Sequence, residues 1–208
     1  IVFSGKVLFQ NRTKKVDRKM ISKNQWGGLG GRFGNKIGNI LLKKSGNIEN
    51  VEIVDVVPMD NFRNLQVWCD GEEKDPTSAF IKYDTVLEEY ERNKSGDRPG
   101  WLDEIDRFWK VQAGGGDPIM YWLNQPLQFF EPPAIVVRRF WRGIFKLINE
   151  NTDNLDLRVF ICTHSGPIRA LATSAVGHDP GEPHNLEDVR IRVFPDKEHA
   201  ILTYRGRG

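Results

Sequence analysis

With 208 residues, 39% hydrophobic and 28% charged, the chain has the make-up of a single soluble domain with a sizeable core. A formal net charge of +2 argues against a globally polycationic nucleic-acid binder, and no apolar run reaches membrane-spanning length. The two cysteines, Cys69 and Cys162, sit in separate apolar runs and are expected as buried reduced thiols.

The opening IVFSGKVLFQ is too short and too broken by polar residues for a signal peptide. The default compartment is therefore the cytoplasm, with an organelle lumen as the alternative. GKVLFQ reads as a short buried strand, followed by the polar loop NRTKKVDRK. WGGLGG leads into a helix over 31–44, where Phe33, Ile37, Ile40 and Leu41 recur at helical spacing before SGN ends it. VEIVDVV is a continuous β-branched run, expected as a strand covered on both faces and stopped by Pro58. Asp60 is placed to cap a helix running from Asn61 towards Gly71.

From 72 to 124 the pattern predicts polar, Gly-rich loops (EEKDPTS, NKSGDRPG, AGGGDP) around one helix from Trp101 to Val111. This stretch reads as an insertion or cap over one end of a sheet. After a Pro-Pro pair comes the strongest predicted helix, 134–149, with Val137, Phe140, Trp141, Ile144, Phe145 and Ile148 as its apolar stripe. LDLRVFICT is the next strand, 167–176 a helix, and VRIRVF with AILTY a terminal pair of strands. Alternating strands and helices predict an α/β class with a mostly parallel sheet.

In such sheets ligands bind at the carboxyl ends of strands, beside helix N-termini. His164 stands at such a point: Thr163 closes the strand, Ser165 and Gly166 form a turn, and Pro167 fits the first helical position. Free amides there favour an anion, and a glycine allows close approach. An imidazole beside a phosphate can attack phosphorus or stabilise its charge. The plain structural alternative is that His164 only caps the turn.

THSGPIRAL resembles the second histidine motif of the histidine phosphatase superfamily, which includes the phosphoglycerate mutase-like and acid-phosphatase-like enzymes. VPMDNFRNLQVWCDG is similar to the family segment in which an arginine opens a helix and binds phosphate, which assigns that role to Arg63. WGGLGGRFGNKIGNIL and VLFQNRTKKVDRKM fall where the family carries its first long helix and its first histidine motif. The resemblance implies a three-layer α/β/α sandwich in one domain over 1–208. It also implies a phosphate cradle of Arg12, Arg63, Gln10, Ser165 and Gly166, with His164 catalytic and Glu88 (or Glu89) as proton donor; the plain structural alternative for these two glutamates is a solvated helix face.

The chain departs from the family at its first motif, since no histidine precedes His164. Depending on the alignment of Arg12 and Thr13, Phe9 or Gln10 occupies the nucleophile position, and neither can become phosphohistidine. Three readings follow. The first is a degenerate pseudophosphatase that binds phosphate or a phosphorylated small molecule, or serves with protein partners as a subunit of a larger assembly. The second is an active phosphomonoester hydrolase or mutase. The third is an unrelated α/β binding domain. No CxxC or metal-spaced Cys/His set occurs, so neither metal nor cofactor is expected.

Other candidates read as structural. His178, His184 and His199 lie in polar turns, and Arg169 is expected to pair with a carboxylate. The aromatic residues of RRFWRGIF fit core packing better than a nucleic-acid platform, and AGGGDP lacks the Lys-Ser/Thr of a phosphate loop. The basic clusters KKVDRK, VRRFWRG and YRGRG read as solvated faces.

Overall fold

A computed structural model describes residues 6–11, 52–93, 97–151, 158–184, 187–194, 196 and 198–206. They form a mixed α/β structure and fall into two compact units. The loop after Asn11, the helix over 31–44 and Arg12 lie outside the described residues.

One unit holds β1 (Lys6–Asn11), β2 (Glu52–Pro58) and most of β5 (Arg158–Cys162). β1 is the central strand, flanked by β2 and β5. It pairs antiparallel with β2, Val7 opposite Val57 and Leu8 opposite Val56. The register shifts between Phe9 and Gln10, which puts Gln10 opposite Ile53. Pro58 is the last residue of β2, consistent with a residue that cannot donate to a further ladder.

The other unit begins with a 3-10 helix, Asp60–Phe62, and a hairpin of β3 (Val67–Cys69) and β4 (Glu72–Lys74). The hairpin turns on Asp70 and Gly71 with φ of 55° and 80°, the left-handed pair that an Asp-Gly turn supplies. Four helices follow in this order: α1 (Pro76–Asn93), α2 (Gly100–Ala113), α3 (Pro118–Asn124) and α4 (Pro133–Glu150), the last of which belongs to this unit as far as Lys146. After β5 come α5 (Ser165–Val176) and the antiparallel pair β6 (Val189–Val193) and β7 (Ala200–Tyr204). The core of this unit includes Phe62, Leu65, Val67, Leu102, Ile105, Trp122, Phe130, Val136 and Phe140. Phe62 meets Phe140 edge-on at 5.1 Å, and Phe108 stacks on Phe130 at 5.4 Å.

Several expectations need correction. No helix runs from Asn61 to Gly71: the 3-10 turn ends at Arg63, whose ψ of 166° is extended. The reason is tertiary. Arg139 donates to the carbonyls of Asn61 and Arg63 (2.8 and 2.9 Å) and of Asn64 (2.9 Å), taking up groups that a helix would have used internally. Glu131 holds that guanidinium through both carboxylate oxygens (2.8 and 3.0 Å) and also accepts from the Gln66 amide.

The stretch 72–124 is not a set of loops around one helix. EEKDPTS is the end of a hairpin and the start of α1, an 18-residue helix. Asp75 caps it, accepting from the amides of Thr77 and Ser78 (3.0 and 3.2 Å), with Pro76 in the first helical position. The buried side of α4 is Val136, Phe140, Ile144 and Leu147; Phe145 is exposed, and Val137, Trp141 and Ile148 are half-buried. The predicted stripe is thus rotated by about one residue, towards Gly143. A mostly parallel sheet is not among the described pairings, since β1–β2, β3–β4 and β6–β7 all run antiparallel. Both cysteines are free; Cys69 is buried and Cys162 half-buried, and burial pushes both thiols up.

Candidate functional site

His164 is the N-cap residue of α5, so Pro167 sits in the third helical position and not the first. The amides of Ser165 and Gly166 have no partner within the helix, and Pro167 has none to offer. The His164 side chain makes no capping bond; its Nε2 is buried without a hydrogen-bond partner. Burial lowers the imidazole to about 4, against the opposing pull of the Asp75 carboxylate. His164 is therefore neutral at physiological pH.

The Arg63 segment reaches the same place. The Thr163 hydroxyl donates to the Phe62 carbonyl at 2.8 Å, so the residues just before His164 and just before Arg63 lie side by side. Gly166 meets Leu65 closely, because a Cβ added there would stand 3.1 Å from Leu65 Cδ2. The glycine at 166 thus makes room for Leu65. Arg63 forms an ion pair with Glu73 of β4, while its Nε is buried and unpartnered.

Ser165 is already engaged, its hydroxyl donating to Glu182 at 3.1 Å. Glu182 also pairs with Arg169, at 3.2 Å. Arg169 is fully buried and pairs with Asp117 and Asp179 as well, so the expected carboxylate partner is three carboxylates. Asp117 is in turn the N-cap of α3, accepting from Ile119 and Met120. Burial raises the Asp117 carboxyl, but the bond from Arg169 and those two amides outweigh it and hold it below the usual range.

Of the predicted residues, Arg63, His164, Ser165 and Gly166 come from neighbouring segments of one unit. Glu88 does not join them. It is exposed on α1, 12 residues beyond Pro76, or about 18 Å along the helix axis. Gln10 lies in β1 of the other unit, and Arg12 lies outside the described residues. His184 and His199 are exposed, the latter bonded to Asp196 at 2.8 Å.

The sequence does not mark Glu73, which pairs with Arg63, or Asp75, which caps α1, because EEKDPTS has the composition of a loop. Asp-Pro ahead of apolar residues at helical spacing (Ala79, Tyr83, Val86, Leu87) is nonetheless an N-cap signature. Nor does the sequence mark Arg139 and Glu131, which hold the Arg63 backbone. Among the described residues no group of three or more His, Cys, Asp or Glu could hold a metal ion, and no helix is long and apolar enough to cross a membrane.

Chemically, the site offers a neutral imidazole, a guanidinium and the start of a helix, set against carboxylates at 73, 75 and 182. No protein-family model, curated protein or solved structure matches the chain.

Proposed function

We propose that the chain is a degenerate histidine-phosphatase-type domain that binds phosphate or a phosphorylated small molecule without forming a phosphohistidine. In this proposal the fold is the three-layer α/β/α sandwich that the THSGPIRAL resemblance implies, as a single domain. One observation carries it. His164 Nε2 and Arg63 Nε are both buried without a partner, on segments that the Thr163–Phe62 bond holds together. Buried polar atoms ordinarily have a partner, and an oxyanion supplies acceptors for both a guanidinium N–H and an imidazole N–H. The absence of any histidine before His164 removes the family's nucleophile, so binding remains and covalent transfer does not.

The experiment is a thermal-shift titration with orthovanadate and with inorganic phosphate, on the wild type, Arg63→Ala and His164→Ala, beside an aryl phosphate hydrolysis assay. Stabilisation by the oxyanions that is lost in both variants supports the proposal. No stabilisation in the wild type, or stabilisation that both variants keep, refutes it. Turnover that depends on His164 would establish the active hydrolase instead.

A further inference from the structure

Arg63 is paired with a carboxylate that the fold holds in place. Glu73 stands opposite Trp68 in the β3–β4 hairpin, whose two-residue turn fixes the register. Successive side chains on β4 point to opposite faces, and Glu72 pairs instead with Lys74 at 2.8 Å. Glu73 alone of the two glutamates reaches Arg63. The Arg63 backbone is held as well, because its carbonyl accepts from the half-buried Arg139. Two residues on, Asp75 is bound to the start of α1 and acts on His164. An anion arriving at Arg63 therefore meets the Glu73 carboxylate already on the guanidinium, with a second carboxylate, Asp75, close enough to act on His164 through its charge.

We propose that Glu73 is a built-in competitor for the oxyanion at Arg63, so that it weakens binding and sets which anionic ligands the site retains. This rests on the oxyanion reading above. A ligand must either displace Glu73 from the guanidinium or bind with that carboxylate beside it, and both lower its affinity. Removing the charge while keeping the shape should raise affinity, which is the opposite of what loss of an ordinary site residue does.

The test compares wild type, Glu73→Gln and Glu72→Gln by calorimetric titration with orthovanadate. Glu72→Gln makes the same change in net charge on the neighbouring residue that does not touch Arg63. Both glutamates are exposed, so folding is not at issue. The expected result is about three- to tenfold tighter binding in Glu73→Gln, and a change of less than about twofold in Glu72→Gln. Wild-type binding that Glu73→Gln leaves unchanged or weakens overturns the role of Glu73 and leaves the oxyanion site standing. Equal tightening in both variants overturns it too, as an effect of net charge. Absence of binding in the wild type overturns the oxyanion site itself, and the role of Glu73 with it.

Discussion

Alanine in place of Gly143 sets two effects of opposite sign against each other. In an α-helix the substitution ordinarily stabilises by about 0.5–1 kcal/mol, since glycine loses more backbone freedom on folding. Here α4 crosses the 3-10 helix so closely that a Cβ at 143 would stand 2.6 Å from Asn61 Cβ and 2.6 Å from Phe62 Cζ. Ordinary carbon–carbon contacts lie at about 3.5–4.0 Å, so the two elements must part by about 1 Å. Neither partner is free to yield. Phe62 is fully buried and packed on Phe140, and Asn61 is tied to Arg139 in both directions. Overpacking of this kind costs about 1–3 kcal/mol, and the rigid partners place it at the upper end. The net expectation is a loss of about 2 kcal/mol, or about 4–8 °C in Tm for a chain of this size. Urea and thermal unfolding followed by circular dichroism measure it. Because the 3-10 helix leads into Arg63, vanadate binding by the folded fraction should weaken as well. Equal or greater stability in Gly143→Ala would refute the close approach of α4 to residues 61 and 62.

Three further outcomes follow from the same geometry. Arg139→Met should destabilise by about 3–5 kcal/mol in urea melts, because it strands the buried Glu131 carboxylate and three backbone carbonyls; Arg139→Met with Glu131→Gln should recover part of that loss. His164 should titrate near 4 by NMR. Its folded value lies below the ordinary 6.5, so the unfolded chain binds the proton more readily, and stability should fall by up to about 3 kcal/mol as pH drops from 6.5 to 4, a slope that His164→Gln removes. The Arg205 guanidinium, bonded to both oxygens of Glu187, holds that carboxyl down at about 2. Its contribution is present above the ordinary carboxylate range and is lost as pH falls through 2, and acid melts of Arg205→Ala should lack that component.

Strands β1, β2, β5, β6 and β7 and the helices α2, α4 and α5 are legible because their signals are local, whereas β3 and β4 lie where a helix and a loop are expected. VEIVDVV and VRIRVF carry continuous or alternating β-branched residues, and the α4 segment repeats apolar residues at helical spacing. α1 is masked because the loop-like stretches EEKDPTS and NKSGDRPG overlap its two ends, although its apolar residues recur at helical spacing. The stripe of α4 was placed one residue off because Gly143, the point of closest packing, has no side chain to count. At the site, His164 and Arg63 stood out by resemblance, and their flanking motifs are short and contiguous. Glu73, Asp75, Arg139 and Glu131 had no such mark. Arg139 meets its carbonyl partners across 75–78 residues of sequence, and the helix predicted after Asp60 was overridden by that contact.

That separation also sets an order of assembly. A ribosome delivers residues 61–64 well before Arg139, a delay of about 4–15 s at ordinary elongation rates. Thr163 arrives 101 residues after Phe62. Throughout that interval the carbonyls of this segment have no guanidinium to accept from, and Phe62 has no Phe140 to pack against. The segment bearing Arg63 is therefore among the last parts of its unit to take shape, although it is among the first to be made. Non-local closure of this kind slows folding. A nascent chain that ends before Arg139 should bind no oxyanion and should be the form most in need of a chaperone.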